Sequence, residues 1–600
     1  MKITYDLKIK EKKKEGCSYE VILHIPTENG WIDDVWMNIY GIRSIPLNFL
    51  KKEDGIATFK GEFFLDTKAL YHFNFSYKVN GDKKVVLDEE QGNVPYKLSV
   101  NFEVPDWAKG KIMYHIFVDR FNRADSKEKM PNRDLHASFE EDPVIGPNKD
   151  GLWNVDYYGG DLQGIIEKLD YLKSLGVTIL YLSPIVKSQS NHRYDTGDYL
   201  EIDPYAGSKE DLKELCEKAH EYGMKVILDA VFNHTGNDSI YYNEFDHYDS
   251  LGAYQSENSL YSSFYKKENG EYKYWWGNKN LPVCDGNDPK WRAFITGKNG
   301  VIDHWFHLGI DGLRLDVADD LQDDFIELIR TAVRRNKPDG FILGEVWENP
   351  MKMNRRYIES GKELDSVMDY TLMDALIRYY KYEDVDKLKR VLGEMIKDYP
   401  DGTLHSLMNF TSTHDISRAL EIFGYQGFNP NTKWAWDVNN EARTMLQEHK
   451  LTKEEIEKAK KIYKSYIFAL TFLPGNLSIF YGDEAGMEGL GNLMNRRPFP
   501  WNHMDEDLVR FFWAIGLIRE KEPFLETAKT RIREINADYF QFERILNEEQ
   551  MLITISRSPK EGRILIPPEY EIKRKSKVYT LNATNSKILT PYGAIAIKKE

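Results

Sequence analysis

From Gly110 onward, apolar runs of strand length alternate with amphipathic helical stretches such as Leu162 to Leu175, Lys209 to Tyr222 and Pro289 to Leu308. Near-continuous apolar strands that alternate with helices are typical of a parallel sheet covered on both faces. Eight such units favour a closed (β/α)8 barrel. The alternative, an open doubly wound sheet, lacks the GxGxxG turn after its first strand. The predicted strands are Lys111 to Phe121, Thr178 to Ile185, Met224 to His234, Gly312 to Ala318, Gly340 to Trp347, Asp365 to Tyr370, Ser406 to Thr413 and Leu477 to Asp483.

Residues before the barrel alternate between apolar and polar side chains with the period of two that indicates strands. Asn80-Gly81 lies between two such runs and predicts a type I′ hairpin turn. An antiparallel β-sandwich is therefore expected over residues 1–104.

Strand-like runs return near Phe524 and predict a C-terminal β-sandwich over residues 524–600. The barrel is then expected over residues 105–523. Its third strand is followed by an unusually long connection at about 235–288, and loops of such length are usually functional. The predicted fold class is α/β: a (β/α)8 TIM barrel with a subdomain inserted after strand 3 and a β-sandwich at each end.

Composition excludes several classes of protein. The net charge of −15 argues against a nucleic-acid partner, which clustered Lys and Arg would bind. The three cysteines, Cys17, Cys216 and Cys284, form no CxxC pair and suit a reducing compartment. The N-terminus lacks the apolar stretch of a signal peptide, and no apolar run is long enough for a membrane span. A cytoplasmic protein with no membrane partner is expected.

Three carboxylates fall at the carboxyl ends of predicted barrel strands: Asp316 on strand four, Glu345 on strand five and Asp415 on strand seven. Catalytic groups of (β/α)8 barrels project from this end. Retaining glycosidases use two carboxyls, one as nucleophile and one as general acid/base. Asp316 is short and rigidly placed, which suits the nucleophile. Glu345 is longer, and apolar neighbours would raise its pKa as an acid requires.

Charged and imidazole side chains accompany these carboxylates. Arg314 lies two residues before Asp316, so both side chains point to the same side of a strand. A guanidinium there keeps the nucleophile ionised, and Asp229 is the expected buried partner of Arg314. His234 and His414 follow strands three and seven and are expected to donate hydrogen bonds to sugar hydroxyls.

Four ordered segments carry a resemblance to a known family. They are Asp229-Ala-Val-Phe-Asn-His234, Gly312-Leu-Arg-Leu-Asp-Val317, Glu345-Val-Trp347 and Phe410-Thr-Ser-Thr-His-Asp415. The chain resembles the α-amylase family, glycoside hydrolase family 13. Its N-terminal sandwich resembles that of the neopullulanase, cyclomaltodextrinase and maltogenic amylase group. The Leu281-Pro-Val form of the long connection is closer to amylopullulanases.

The resemblance implies a role for each matching residue. Asp316 becomes the nucleophile, Glu345 the acid/base and Asp415 the residue that binds the 2- and 3-hydroxyls. Tyr194 would stack beneath the reacting sugar. The expected substrate contacts are His192, Tyr194, His234, Arg314, Trp347, His414, Arg496 and Arg497, and Trp275 or Trp276 would join Trp347 at the acceptor subsites.

The sequence departs from the neopullulanase group at three places that border the acceptor side: Leu281 to Asp285, Asp319-Asp320 and Asn492 to Asn495. The balance of α-1,4, α-1,6 and transfer activity is expected to depend on them. The group's calcium loop is also altered, because only Asp125 and Asp161 remain as oxygen ligands while Lys127 and Lys129 oppose a divalent cation. No cofactor is expected, and a structural calcium ion is disfavoured.

The expected function is a retaining hydrolase of α-glucosidic linkages in maltooligosaccharides, cyclodextrins, pullulan or starch. A 4-α-glucanotransferase on the same scaffold is the alternative. A non-catalytic glycan-binding relative would have lost carboxylates, and none of the three is missing. A metal-dependent hydrolase would need HxH or HExxH spacing, which is absent. Relatives with such a sandwich often dimerise through it, so the resemblance also implies a homodimer.

Overall fold

The computed structural model describes residues 2–599 except 14, 28–29, 66–69, 125–126, 353–356, 428–447, 574–575 and 586–587. The N-terminal region contains two antiparallel sheets with a shared apolar core that includes Val21, Phe59 and Phe75. Asn80 and Gly81 both have positive φ at the predicted hairpin turn. The strands are Thr4–Lys13, Gly16–Pro26, Ile32–Ile39, Arg43–Pro46, Asn48–Glu53, Ile56–Leu65, Leu70–Val79, Asp82–Val86 and Tyr96–Ser99.

Eight parallel strands form the central sheet, and a bridge between Met368 and Met408 closes it into a barrel. The predicted fold class is thereby confirmed: seven predicted strands contain an observed one, and the eighth observed strand begins one residue before the predicted run. Barrel strands 1 to 8 are Ile112–Ile116, Ile179–Leu182, Lys225–Ala230, Gly312–Leu315, Phe341–Gly344, Ser366–Val367, Met408–Asn409 and Asn476–Phe480. The strands are shorter than the apolar runs because the residues beyond each carboxyl end turn away to form the loops of the site.

Helices surround the barrel. Two of them begin with capping boxes, Ser208 with Asp211 and Thr452 with Glu455, in which each side chain satisfies a free amide of the first turn. The helices are Val118–Phe121, Leu162–Ile166, Leu169–Ser174, Lys209–Glu221, Pro289–Thr296, Val301–His307, Asp323–Asn336, Tyr370–Tyr382, Val385–Asp398, Asp401–Ser406, Ala419–Gly424, Lys453–Phe472, Gly491–Met494 and Glu506–Lys521. Within the described ranges, none of the helices combines the length and the apolar character needed to cross a membrane.

The connection after barrel strand 3 contains little regular structure. A short hairpin, Lys267–Glu268 with Glu271–Tyr272, and isolated bridges from His234 to Val283 and from Tyr274 to Pro282 hold it together. Two further strand pairs lie in other loops: Asp134–Leu135 with Asp156–Tyr157, and Val186–Ser188 with Thr196–Ile202. These segments all lie among the loops that follow barrel strands 1 to 3.

The C-terminal strands form one antiparallel hydrogen-bonded network in which the last strand pairs with three others. Phe540, Phe542 and Ile553 join the barrel core, while Leu552, Ile595 and Ile597 belong to a second cluster. This sheet therefore packs on the barrel with one face. Its strands are Lys529–Ile535, Tyr539–Leu546, Glu549–Ser556, Gly562–Arg563, Lys577–Asn585 and Ile588–Lys598.

Candidate active site

The carboxyl ends of barrel strands 3, 4 and 5 bring the predicted charged residues together. Asp229 pairs in register with Arg314, and Arg314 pairs with Leu343 of the next strand. Asp316 and Glu345 each lie one residue beyond the end of their strand. Asp415 lies farther out, in the loop after strand 7. Strand register therefore places Asp229, Arg314, Asp316 and Glu345 around one buried position.

Arg314 connects three carboxylates. Its Nη1 donates to Asp229 Oδ1 at 2.8 Å and to Asp316 Oδ1 at 2.9 Å. Its Nη2 lies 2.9 Å from Glu345 Oε2. The arginine is fully buried, and an interior charge is stable only when it is paired in this way. One guanidinium thus fixes the relative position of both residues predicted to carry out catalysis.

Asp229 links this ion cluster to a tyrosine that faces the site. Its Oδ2 accepts hydrogen bonds from Tyr181 at 2.6 Å and from Tyr194 at 2.8 Å. The Tyr194 ring stacks on His414, with centroids 5.0 Å apart and an interplanar angle of 10°. Asp229 therefore has a structural role, because it orients both Arg314 and Tyr194.

Glu345 has polar surroundings, which differ from the apolar neighbours that the sequence suggested. Its Oε2 accepts from the backbone amide of Val317 at 2.8 Å, and its Oε1 accepts from the indole N–H of Trp347 at 2.9 Å. Val317 has φ 38°, a left-handed conformation that is unusual for a β-branched residue. Such strain is often found at functional sites, and here it turns the amide of Val317 toward Glu345.

Asp415 is held by the residues on either side of its loop. Its Oδ2 lies 3.1 Å from His414 Nε2, and its Oδ1 lies 3.6 Å from Arg496 Nη2. Arg496 also donates to the His414 carbonyl at 2.9 Å. Of the two arginines predicted to contact substrate, Arg496 alone reaches this cluster. Arg497 points elsewhere, donating to Asp142 at 2.8 Å and to the Glu488 carbonyl at 3.1 Å.

The three histidines are neutral. Burial lowers the pKa of His234 to about 4 and lowers the pKa values of His192 and His414 well below the usual range. His192 Nδ1 accepts from the Tyr194 amide at 3.1 Å, so its proton lies on Nε2. Neutral imidazoles of this kind can donate to sugar hydroxyls without adding charge to the site.

Negative charge exceeds positive charge among the buried groups. Burial raises the pKa of Asp316 well above its usual range; Arg314 opposes this effect and the charge of Glu345 adds to it. Burial, followed by the charge of Glu345, raises the pKa of Asp415 to about 7. Groups coupled this closely titrate together, so the pKa values of Asp316 and Asp415 are both raised. A site of this kind can supply an acid and a carboxylate at once.

Two aromatic residues behind the charged cluster were missed in the sequence. Tyr181 lies within the apolar run of barrel strand 2 and stacks on His115 of strand 1 at 4.1 Å. Tyr370 stacks on Trp347 at 3.6 Å. Neither belongs to a recognisable motif. One sequence pattern could have indicated Tyr181: side chains two residues apart in a strand point to the same side, so Tyr181 lies on the same side of its strand as Ile179.

Comparison with known proteins places this arrangement in a family. The model described as the α-amylase catalytic domain matches residues 115–451. The chain belongs to the α-amylase family. Barrel strands 2 to 7 and the four motif segments all lie within the matched range.

The chain is similar to several curated α-amylase-family proteins. It is 35% identical over 535 residues to an amylopullulanase of Thermoanaerobacter thermohydrosulfuricus, covering 80% of this chain and 34% of that protein. It is 28% identical over 609 residues to a cyclomaltodextrinase of Geobacillus thermopakistaniensis, covering 94% of this chain and 90% of that protein. The chain thus spans about a third of the amylopullulanase. Among solved structures, the type III pullulan hydrolase of Thermococcus kodakarensis matches the whole chain, with TM-score 0.68 and 24% identity, and so shares its fold.

The loop for which the sequence resemblance implies an altered calcium site contains Lys127. Lys127 Nζ lies 2.6 Å from Asp161 Oδ2, and both side chains are largely buried. Asp161 Oδ1 accepts from the Gly164 amide at 2.6 Å, so this carboxylate is already satisfied at both oxygens. Asp125, the other predicted ligand, lies outside the described residues. An ammonium group at this position does not fit beside a divalent cation.

Proposed function

We propose that the protein is a retaining hydrolase of α-glucosidic linkages in maltooligosaccharides, cyclodextrins, pullulan or starch. The observation that carries the proposal is the contact of Asp316 and Glu345 with one guanidinium, that of Arg314, at the ends of adjacent barrel strands. Retaining enzymes need two carboxyls close together, whereas inverting enzymes separate them to admit a water molecule. Contact with the same arginine favours the closer spacing.

In the first step, Glu345 donates its proton to the glycosidic oxygen while an Asp316 oxygen attacks the anomeric carbon. The bond to the leaving sugar breaks, and a covalent glycosyl-enzyme forms. Arg314 contacts both carboxylates, so it compensates the negative charge that moves from Asp316 to Glu345. The amide of Val317 and the indole of Trp347 stabilise the carboxylate that Glu345 becomes.

In the second step, Glu345 removes a proton from water, and the hydroxide attacks the anomeric carbon and displaces Asp316. Two inversions leave the product with the α configuration of the substrate. Asp415, held by His414 and Arg496, binds the sugar hydroxyls, and Tyr194 supplies the ring beneath the sugar. The proposed roles of Asp316, Glu345, Asp415 and Tyr194 are therefore consistent with their positions and hydrogen bonds.

The relatives support an α-glucan as the substrate. Their names include amylopullulanase, cyclomaltodextrinase and maltogenic α-amylase. Parallel product analysis on pullulan, soluble starch and β-cyclodextrin would identify the preferred glucan. Conversion of maltotriose into longer and shorter oligosaccharides with no increase in the number of reducing ends would instead favour the glucanotransferase.

The proposal is tested by Asp316→Asn. This variant keeps the shape of the side chain and one oxygen for Arg314 but cannot form the glycosyl-enzyme. Turnover of maltotetraose should fall at least about a thousandfold, while binding measured by calorimetry persists. Asp324→Asn, on the surface of the next helix, is the matched control and should retain full activity. Near-normal turnover by Asp316→Asn would overturn the assignment.

We further propose that the protein needs no calcium ion at the loop that contains Lys127. The ammonium group of Lys127 supplies the positive charge that Asp161 needs in its buried position. The loop is therefore stabilised by the chain's own residues.

We also propose a cytoplasmic location and a homodimer that forms through the N-terminal sandwich. The three cysteines are unpaired and buried, and one relative is named as an intracellular maltogenic amylase. Trp31, Ile42, Phe49 and Leu50 of the sandwich are each more than half exposed. These exposed apolar side chains offer surface for contact with a second copy of the chain. A solution mass of one chain, measured by light scattering at micromolar concentration, would contradict the dimer.

A further inference from the structure

Two of the three places where the chain departs from the neopullulanase group meet at one residue, Trp275. The backbone amide of Trp275 donates to the Leu281 carbonyl at 2.9 Å. Its indole N–H donates to Asp320 Oδ2 at 2.8 Å. Leu281 belongs to the first departure and Asp320 to the second. The inserted subdomain is thus attached to the loop after barrel strand 4 by a hydrogen bond that spans 45 positions in the sequence.

Trp275 lies at the rim of the active site. Its ring stacks on His234, with centroids 5.1 Å apart and an interplanar angle of 23°. His234 is buried, and its Nε2 has no hydrogen-bond partner among the described residues, as expected of a group that awaits substrate. The indole is therefore adjacent to a residue predicted to contact the sugar.

The position of Asp320 indicates the side of the site to which Trp275 belongs. Asp320 follows Val317 by three residues, and the Val317 amide binds Glu345. Glu345 serves the leaving oxygen, so the loop that contains Asp320 lies toward the leaving part of the glucan. The face of an indole is a flat apolar surface, and such surfaces commonly line ligand sites.

We propose that Asp320 is a positioning residue that holds Trp275 as a wall of the acceptor side and so determines which glucan bond is cleaved. The inference rests on the proposed hydrolysis of α-glucans and identifies its specificity-determining pair. The ligand is the glucosyl unit that carries the leaving oxygen. Asp320 is exposed, so it contributes chiefly by fixing the orientation of the indole rather than by contact with the reacting atoms. Trp276, which is 89% exposed and has φ 51°, extends the same tip of the subdomain into solvent.

Two substrates separate this role from catalysis. Maltotetraose labelled at its reducing end places sugars on both sides of the cleaved bond, whereas maltosyl fluoride has no sugar on the acceptor side. In Trp275→Phe and Asp320→Ala, kcat/KM for maltotetraose should fall about fivefold, and the ratio of bonds cleaved should change. With maltosyl fluoride both variants should remain within about twofold of the wild type. Asp320→Asn retains an oxygen acceptor and should lie closer to the wild type than Asp320→Ala does.

Matched controls are Asp324→Ala, a surface carboxylate four residues away that binds Arg292, and Trp513→Phe, on an outer helix. An unchanged cleavage pattern in Trp275→Phe and Asp320→Ala would overturn the inference. Equal losses with both substrates would also overturn it, because they would indicate general damage to the site. If the wild type turns over neither substrate, the proposed function itself fails. The two failures are therefore distinguishable.

Discussion

The hydrogen bond from Trp347 to Glu345 offers a quantitative test of how the acid is stabilised. Trp347→Phe removes the indole N–H that lies 2.9 Å from Glu345 Oε1 but leaves an aromatic ring to stack on Tyr370. In the proposed mechanism the bond matters most in the transition state, where Glu345 becomes a carboxylate and a hydrogen bond to it strengthens. A hydrogen bond to a charged group contributes about 1.5–3 kcal/mol. Since about 1.4 kcal/mol corresponds to a tenfold change in rate, kcat/KM should fall about ten- to a hundredfold.

The assay compares maltotetraose with maltosyl fluoride. Fluoride leaves without protonation, so the loss should be nearly absent with that substrate. Trp513→Phe, a half-exposed tryptophan on an outer helix, controls for the removal of an indole as such. Activity of Trp347→Phe on maltotetraose within about twofold of the wild type would refute the reasoning. Equal losses on the two substrates would also refute it, because the defect would then not concern proton donation.

Two further predictions concern charge. Because the charge of Glu345 contributes to the raised pKa of Asp316, Glu345→Gln should lower that pKa. The acidic limb of kcat/KM for maltosyl fluoride should then move to lower pH than in the wild type, and an unmoved limb would contradict the coupling. Lys127→Ala leaves Asp161 as a buried unpaired charge, at a cost of about 3–5 kcal/mol, so the thermal midpoint should fall by several degrees. Lys129 is exposed in the same loop, so Lys129→Ala should leave the thermal midpoint unchanged. A chelator added to the wild type should also leave the midpoint unchanged. A midpoint that falls with the chelator would contradict the prediction, because it would indicate a bound metal ion.

Much of the framework follows from local patterns in the sequence. All eight barrel strands overlap predicted apolar runs, since strand periodicity and length are properties of short segments. The positions of Asp316 and Glu345 beyond strands 4 and 5 follow directly, because a parallel barrel directs all its strand ends to one face. The Asn80-Gly81 turn was equally local, since few residue pairs adopt two positive φ values.

Other features depend on contacts between distant segments. Arg496 and Arg497 are neighbours in sequence, yet only Arg496 reaches Asp415, because packing against the loop of His414 directs one side chain inward. The polar surroundings of Glu345 arise from the backbone amide of Val317 and the indole N–H of Trp347. The composition of the neighbouring sequence does not predict either hydrogen bond.

The sequence by itself therefore determined the barrel, the strand ends and the carboxylates, because each is encoded within about ten consecutive residues. The tertiary structure alone decided how those groups are held and which parts of the chain border the charged cluster. The bond from Trp275 to Asp320 and the ion pair of Lys127 with Asp161 join residues 45 and 34 positions apart. Their partners are set by the packing of whole elements, and local preference carries no information about that packing.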